Sequence, residues 1–185
     1  YEGEYIPCIK SLDEDGIVIY AGSFSKVISP GMRVGWCVAP SAVIQKLVVC
    51  KQGQDVHTNI WSQMVCDRFM RDYDYQAHLQ YLRDLYSQKA KLTMDLMDRY
   101  LAPKIAYNKI TGGLFTYCTL PKDVDMPDFC KQAVLRKVCT VPGSAFLPDD
   151  TPPCANFRIN FSTPTDAQLE KGIRSLGELA EEIIR

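Results

Sequence analysis

Two short apolar runs near the start of the chain predict strands. Ile17-Val18-Ile19-Tyr20 is a continuous apolar run closed by Gly22, which is typical of a strand buried on both faces. Residues 33–38 predict a second strand, which ends at Pro40. The polar turn between these strands is therefore held close to a predicted sheet.

Helical spacing dominates the next part of the chain. One helix is predicted from Ser41, a plausible N-cap, and a second from residue 59 or 60 to about residue 70. The longest apolar pattern, at intervals of three and four, predicts a helix over about 75–101 that Pro103 stops.

The final part of the chain alternates between strand and helix patterns. Such alternation predicts a compact α/β subdomain, and residues 148–153 form a polar, proline-rich loop that we expect to be its most mobile segment. The predicted strands are 104–110, 114–120 and 157–161, and the predicted helices are 128–137 and 165–184.

Composition and charge exclude several classes of protein. The chain has 185 residues, 46% of them apolar, and a formal net charge of −1, so it can bury a core but offers no broad basic face for nucleic acid. No apolar run approaches the length of a membrane span. These features favour a cytoplasmic protein without a membrane partner.

The cysteines and histidines predict neither a metal site nor a disulfide framework. The eight cysteines include no Cys-x-x-Cys pair and there are only two histidines, so clustered zinc ligands are absent from the sequence. Cys37 and Cys50 lie within apolar runs. We therefore expect buried, reduced thiols, as in a cytosolic protein.

The richest chemistry lies in the fifteen residues 22–36, which follow the first predicted strand. Ser23 and Ser25 can donate hydrogen bonds to phosphate oxygens, and Arg33 can make a bidentate contact with a phosphate. Lys26 lies between them as a candidate nucleophilic amine. A lysine in a loop is usually only solvated, but the whole string is more specific than its Ser-x-Ser-Lys core.

This string resembles a known signature. Ser-Phe-Ser-Lys followed by Pro-Gly-x-Arg-x-Gly-Trp is similar to the cofactor-lysine segment of fold-type I pyridoxal-phosphate-dependent aminotransferases. The similarity is greatest to the aminoadipate/kynurenine aminotransferases and the MocR-type regulators. The resemblance implies that Lys26 is catalytic and holds pyridoxal 5'-phosphate as a Schiff base, while Ser23, Ser25 and Arg33 bind its phosphate.

Three downstream segments resemble the same family. Residues 111–115 are similar to its Gly-Gly-hydrophobic-Phe segment, and residues 141–146 to its Val-Pro-Gly-x-x-Phe segment. Residues 157–162 resemble the strand whose arginine binds the substrate α-carboxylate, which implies that role for Arg158. From the residues alone, Arg158 could equally be exposed on an edge strand or paired with an internal carboxylate.

A fourth segment implies a homodimer. In this family the stretch matching residues 52–59 reaches the active site of the neighbouring subunit, so Thr58 would approach the partner's cofactor phosphate. Gln54 or His57 would then contact the substrate side chain. A single histidine without an aligned carboxylate is more often structural, which leaves His57 as the weaker candidate.

The resemblance implies an α/β fold, the C-terminal part of the pyridoxal-phosphate-dependent transferase fold. Residues 1–74 would end the large cofactor-binding domain, 75–101 would form a connecting helix, and 102–185 would form the small α/β domain. The family's pyridine-nitrogen aspartate and cofactor-stacking aromatic precede the lysine. We therefore expect the chain to be a piece of a longer protein and to be inactive alone.

The implied function is transfer of an amino group between an amino acid and a 2-oxo acid. The alternative is the cofactor-binding effector domain of a MocR-type transcriptional regulator, whose DNA-binding domain would lie upstream. A purely structural interaction module is disfavoured because Lys26, Arg33 and Arg158 are all present.

Overall fold

The computed structural model describes residues 1, 3–4, 6–102, 104–148 and 154–184. They form two compact units, which we call the lysine unit (Glu4–Leu82) and the sheet unit (Tyr1–Gly3 with Arg83–Arg185). Pro103, predicted to stop a helix, and residues 149–153 of the predicted mobile loop lie outside the described residues. The three predicted domain ranges stay a prediction.

The lysine unit contains a two-stranded antiparallel hairpin followed by helices. The helix predicted from residue 59 or 60 is confirmed, because the Asn59 side chain accepts a hydrogen bond from the Ser62 N–H at 3.0 Å and caps it. Ser41 is the first residue of its helix rather than the N-cap, which is Pro40. The elements are β1 (Tyr20–Ser23), β2 (Gly35–Val38), α1 (Ser41–Gln54), α2 (Ile60–Asp72) and the first turns of α3 (Tyr75–Tyr100).

Two expectations about this unit are wrong. The run at 17–20 was expected to be a buried strand, but β1 begins only at Tyr20, and Ile17 is 78% exposed. The reason is that β1 pairs only with β2 among the described residues, and a two-stranded hairpin covers neither of its faces. For the same reason Cys37, which lies in β2, is exposed rather than buried. Cys50 on α1 is exposed as well. All eight cysteines are free thiols.

The sheet unit contains a four-stranded antiparallel sheet in the order β3-β4-β6-β5. Its last helix is the best defined by local sequence, because Thr165 and Gln168 form a reciprocal capping box. The strand expected at 104–110 shrinks to two residues, and β5 was not predicted. The elements are β3 (Ala106–Tyr107), β4 (Phe115–Thr119), α4 (Met126–Leu135), β5 (Val141–Pro142), β6 (Asn156–Asn160) and α5 (Asp166–Ile183).

One face of this sheet forms the core. Side chains alternate along β6, so Phe157 and Ile159 join buried side chains of α4 and α5, whereas Arg158 lies on the opposite face. The rings of Phe129 and Phe157 pack with their centroids 5.5 Å apart. The sheet unit can therefore carry a polar side chain on one face without disturbing the core on the other.

None of the helices within the described ranges is long and apolar enough to cross a membrane.

Candidate active site

The turn that carries Lys26 is built from local hydrogen bonds. Ser23 ends β1, and its Oγ accepts a hydrogen bond from the Ser25 N–H at 3.1 Å. The Phe24 carbonyl then accepts from the N–H groups of residues 27, 28 and 29, while the Phe24 N–H donates to the Val34 carbonyl at 3.1 Å. These bonds make one short 3-10 turn, Phe24–Lys26, directly after the strand.

Arg33 folds back onto this turn. Its backbone adopts the left-handed conformation, with φ of 53°, which is uncommon for a residue other than glycine. Its Nη1 donates to Ser25 Oγ at 3.3 Å and to the Pro30 carbonyl at 3.0 Å. The structure thus brings together Ser23, Ser25 and Arg33, the three residues that the sequence proposed as phosphate ligands.

Lys26 is exposed at the end of the same turn. Among the described residues its amine has no hydrogen bond or ion pair with protein, so it is available to an electrophile. Two hydroxyls and a guanidinium beside a primary amine fit a ligand that carries both a phosphate and a carbonyl group. The donor set therefore fits pyridoxal phosphate.

His78 contacts this turn and was not singled out by sequence. Its Nε2 lies 2.7 Å from the carbonyl oxygen of Val27, the residue after Lys26. The imidazole also packs against Phe69, at 5.1 Å between ring centroids and nearly perpendicular. No sequence signal could have found this contact, because 51 residues separate its partners.

The segment around Gln54 forms a small polar cluster of its own. Gln54 is the exposed last residue of α1, and Lys51 Nζ binds both the Asp55 carboxylate at 2.8 Å and Thr58 Oγ1 at 3.2 Å. His57 is exposed, with Nδ1 3.1 Å from the Thr58 carbonyl. Within the part of the chain that the structure describes, none of these side chains hydrogen-bonds to the Lys26 turn.

Arg158 lies in the sheet unit between two aromatic rings. It stands opposite Tyr117 of β4 and Val141 of β5, so its strand is interior rather than an edge. Its guanidinium carbon lies 4.1 Å from the centroid of the Phe115 ring and 4.6 Å from that of Phe146. Cations over aromatic faces are favourable, so both rings stabilise the charged group.

The edge of this guanidinium has unused hydrogen-bonding capacity. Arg158 Nε is buried and has no hydrogen-bond partner among the described residues. A buried donor without a partner is costly, and an oxoanion binding in the guanidinium plane would satisfy it. Sequence left open that Arg158 is exposed on an edge strand, which is wrong because β6 is an interior strand. Sequence also left open a pairing of Arg158 with an internal carboxylate, but within the described residues its Nε has no partner.

Phe115 and Phe146 belong to two of the family-like segments, but sequence assigned them no contact with Arg158. The sheet register creates that contact, because β4 and β6 place Phe115 opposite Asn160, two residues from Arg158. Phe146 ends a 3-10 turn, Gly143–Phe146, that follows β5. The three segments therefore meet at the Arg158 guanidinium.

Among the described residues, no group of three or more His, Cys, Asp or Glu side chains could hold a metal ion.

The chain matches a known protein family. The family model described as aminotransferase class I and II matches residues 2–176. An uncharacterised aminotransferase of Saccharolobus solfataricus is 35% identical over 178 residues, which covers 96% of this chain and 44% of that protein.

Two solved structures have the same fold over nearly the whole chain. The kynurenine aminotransferase of Pyrococcus horikoshii superposes with a TM-score of 0.93 at 30% identity, covering 100% of this chain and 46% of its own. The α-aminoadipate aminotransferase LysN of Thermus thermophilus, complexed with N-(5'-phosphopyridoxyl)-L-leucine, gives 0.90 at 32% identity, covering 97% and 47%. This chain thus spans less than half the length of the proteins it matches.

A regulator also matches. An uncharacterised HTH-type transcriptional regulator of Bacillus subtilis is 26% identical over 176 residues, covering 95% of this chain and 36% of that protein.

Proposed function

The chain belongs to the class I and II aminotransferase family, and we propose that it is the part of a pyridoxal-phosphate-dependent aminotransferase that carries the cofactor lysine, Lys26. The whole protein would transfer an amino group between an amino acid and a 2-oxo acid. When bound, the cofactor supplies an electron sink for the substrate's Cα. The observation that carries the proposal is the Ser25–Arg33 hydrogen bond of 3.3 Å at the turn that ends in the Lys26 amine.

Lys26 has two roles in this proposal. Its amine holds the cofactor covalently between turnovers. During turnover the released Nζ, as a neutral amine, accepts the proton from the amino acid Cα and donates it again on the way to products. Both roles need an amine free of competing carboxylates, and the structure gives Lys26 no ion pair among the described residues.

Ser23, Ser25 and Arg33 bind the cofactor phosphate in this proposal. Hydroxyl and guanidinium donors at one turn match a dianion, and Arg33 can contribute two parallel hydrogen bonds. Anchoring the phosphate fixes the carbonyl end of the cofactor relative to Lys26, which reduces the entropy cost of reaction.

Arg158 binds the α-carboxylate of the substrate. The Nε donor without a partner, in a guanidinium that packs against two aromatic rings, can bind a carboxylate in the guanidinium plane. This interaction recognises the group that amino acids and 2-oxo acids share, so it serves both half-reactions.

The finer parts of the proposal concern assembly. We propose a cytoplasmic homodimer in which Thr58 approaches the partner's cofactor phosphate and Gln54 contacts the substrate side chain. Free thiols at all eight cysteines support a reducing compartment.

We also propose that residues 1–74 end the large domain, that residues 75–101 form the connecting helix, and that residues 102–185 form the small domain.

Borohydride reduction tests the role of Lys26 in the full-length protein. We expect reduction of the protein loaded with pyridoxal phosphate to leave a phosphopyridoxyl mass on the peptide that contains Lys26, and Lys26→Ala to lose both this mass and the visible absorbance of the bound cofactor. Lys46→Ala is the matched control, because Lys46 is an exposed lysine of the same unit, on α1. A stoichiometric label on any other lysine of the wild-type protein would contradict the proposal.

The second candidate function is the effector domain of a MocR-type regulator, supported by the match to the regulator of Bacillus subtilis. The two functions differ in what happens to an amino acid substrate. An aminotransferase converts an amino acid and a 2-oxo acid catalytically, whereas a regulator changes its DNA affinity when the ligand binds. Assay of the full-length protein for both outcomes separates them.

A further inference from the structure

We propose that His78 is a positioning residue for Lys26: its imidazole holds the turn that presents the lysine by donating a hydrogen bond to the Val27 carbonyl. This inference rests on the proposed function of Lys26. It adds a residue that lies 52 positions further along the chain and outside the signature segment.

The hydrogen bonds of the turn show why a donor is needed at Val27. The N–H groups of Val27 and Ile28 both donate to the Phe24 carbonyl, at 3.3 and 2.8 Å, which closes the turn from inside. The last carbonyls of a helical turn have no partner within it. The Val27 carbonyl instead accepts from His78 Nε2 at 2.7 Å, which closes the turn from outside.

This contact fixes the tautomer of His78. A carbonyl oxygen only accepts hydrogen bonds, so Nε2 must carry a proton. The bond is short for a neutral N–H donor, and its atoms are partly buried, so water competes poorly for either partner.

The imidazole is itself held in place. His78 lies in the first turn of α3, where its own N–H donates to the Asp74 carbonyl at 3.0 Å. Its ring meets the Phe69 ring edge to face at 5.1 Å and the Tyr75 ring at 6.5 Å. Packing on two sides limits rotation of the ring, so the donor is aimed at the turn before any ligand binds.

The turn in turn sets the direction of Lys26. The lysine side chain has no hydrogen bond or ion pair of its own among the described residues, so the backbone at residues 24–29 decides where it points. Without His78, the Val27–Ile28 peptide loses its outer anchor and can rotate. Small misplacements of a reacting group cost up to about 100-fold in rate.

Three substitutions of His78 in the full-length protein test the inference. His78→Gln keeps an N–H donor at about the place of Nε2. His78→Leu keeps a half-buried apolar group and removes the donor, and His78→Asn keeps an amide that is too short to reach the carbonyl. Gln76→Leu is the matched control, because Gln76 is exposed in the same turn of α3.

We expect His78→Leu and His78→Asn to lower kcat about 10- to 100-fold while KM for the amino acid changes less than about threefold. They should also slow attachment of pyridoxal phosphate to Lys26, measured by borohydride trapping and peptide mapping, and speed amide hydrogen exchange in residues 24–29. His78→Gln should restore all three quantities to within a few-fold of wild type. A merely structural role would lower the unfolding midpoint without rescue by glutamine.

The outcomes separate this inference from the function on which it rests. If wild type is labelled at Lys26 and His78→Leu matches it in trapping rate and kcat, only the inference is overturned. The same holds if His78→Gln loses as much as His78→Leu. If wild type takes no label at Lys26, the proposed function fails and this inference fails with it.

Discussion

The two units of the chain carry their candidate ligand groups in different ways. In the lysine unit the buried apolar residues, among those described, are Val34 and Cys66. In the sheet unit a single cluster of buried side chains extends from Ala90 to Ile184. Lys26 is therefore presented by a turn with little core beneath it, whereas Arg158 is presented by a strand with a complete core behind it.

This difference teaches that a ligand site can be built from either local or distant contacts. The Lys26 turn depends on hydrogen bonds within residues 23–34, with one distant bond from His78. The surroundings of Arg158 depend on the pairing of β4 and β6 and on a ring contributed by the turn after β5. Mutations in the sheet unit should thus act through its stability, and mutations in the lysine unit through local geometry.

The apolar surface of the lysine unit supports the same contrast. Trp61 is 72% exposed and Ile60 is 50% exposed, although both begin a well-capped helix. Exposed apolar groups contribute little to stability because they stay in contact with water. Truncating them should therefore cost much less than truncating the core of the sheet unit.

The largest effect is expected for Phe157→Ala. Phe157 is fully buried and packs on Phe129, so its loss should destabilise the sheet unit by about 3–5 kcal/mol. Trp61→Ala removes a larger but exposed ring and should cost under about 0.5 kcal/mol. Denaturant unfolding, monitored by hydrogen exchange of peptides from each unit, measures the free energy of unfolding lost in each variant. Equal losses in the two variants would contradict the difference between the units.

A pair of glycines in α5 should change stability in opposite directions. A Cβ added at Gly177 would lie 2.5 Å from the Tyr100 carbonyl oxygen, so Gly177→Ala should destabilise by about 1–3 kcal/mol. At Gly172 no atom lies within 4 Å of the added Cβ, so Gly172→Ala should stabilise by up to about 1 kcal/mol. Thermal unfolding of both variants checks this, and a Gly177→Ala variant as stable as Gly172→Ala would show that packing at Tyr100 does not matter.

Tyr107 should make the sheet unit sensitive to high pH. Burial, together with the hydrogen bond from its hydroxyl to Asp98 at 2.5 Å, raises the pKa of Tyr107 to about 12. Between pH 10 and 12 the unfolded phenol ionises while the folded one stays protonated, so its contribution to stability is complete below pH 10 and is lost as pH rises through this window.

Unfolding curves between pH 9 and 12.5 should show this loss, less steeply for Tyr107→Phe than for wild type. Tyr81→Phe is the matched control, because the Tyr81 ring is 62% exposed. Part of the loss should persist in Tyr107→Phe, since burial also raises the pKa of Tyr1 to about 12. If the free energy of unfolding fell as steeply with pH in Tyr107→Phe as in wild type, Tyr107 would not contribute to the loss.

Thiol labelling should distinguish exposed from buried cysteines with the least disturbance to the fold. Burial raises the pKa of the Cys118 thiol to about 12, and Cys118 is fully buried, so it should stay unmodified by iodoacetamide at pH 8. Cys37 and Cys50 of the lysine unit are exposed and should react first, together with Cys139. Mass spectrometry of timed digests checks the order, and early label on Cys118 would contradict it.

Sequence predicted much of the fold where the signal was local. The five α-helices within the described residues were located within a few residues, because their apolar spacing and caps such as Asn59 and Thr165 are short-range features. The strands were less well predicted. Ile17 was placed in a strand because it is apolar, but strand formation requires a partner, and pairing in this hairpin begins at Tyr20.

The candidate site divides along the same line. Sequence named Ser25 and Arg33 as ligands of the same phosphate, and the structure joins them by a hydrogen bond across the eight residues that separate them. The packing of Phe115 and Phe146 against Arg158 was not expected, because the Phe115 contact needs the register of β4 against β6. Exposure of Cys37 was also missed, since burial depends on which surfaces meet.

By itself, then, the sequence determined the helices, the turn that ends at Lys26, and the residue types available for phosphate and carboxylate binding. These follow from backbone conformations and hydrogen bonds that span about ten residues. Only the tertiary structure decided that His78 contacts the Lys26 turn from 51 residues away and that Phe115 and Phe146 pack against Arg158. Such contacts depend on long-range packing and on which strands pair, and the apolar spacing of a single segment specifies neither.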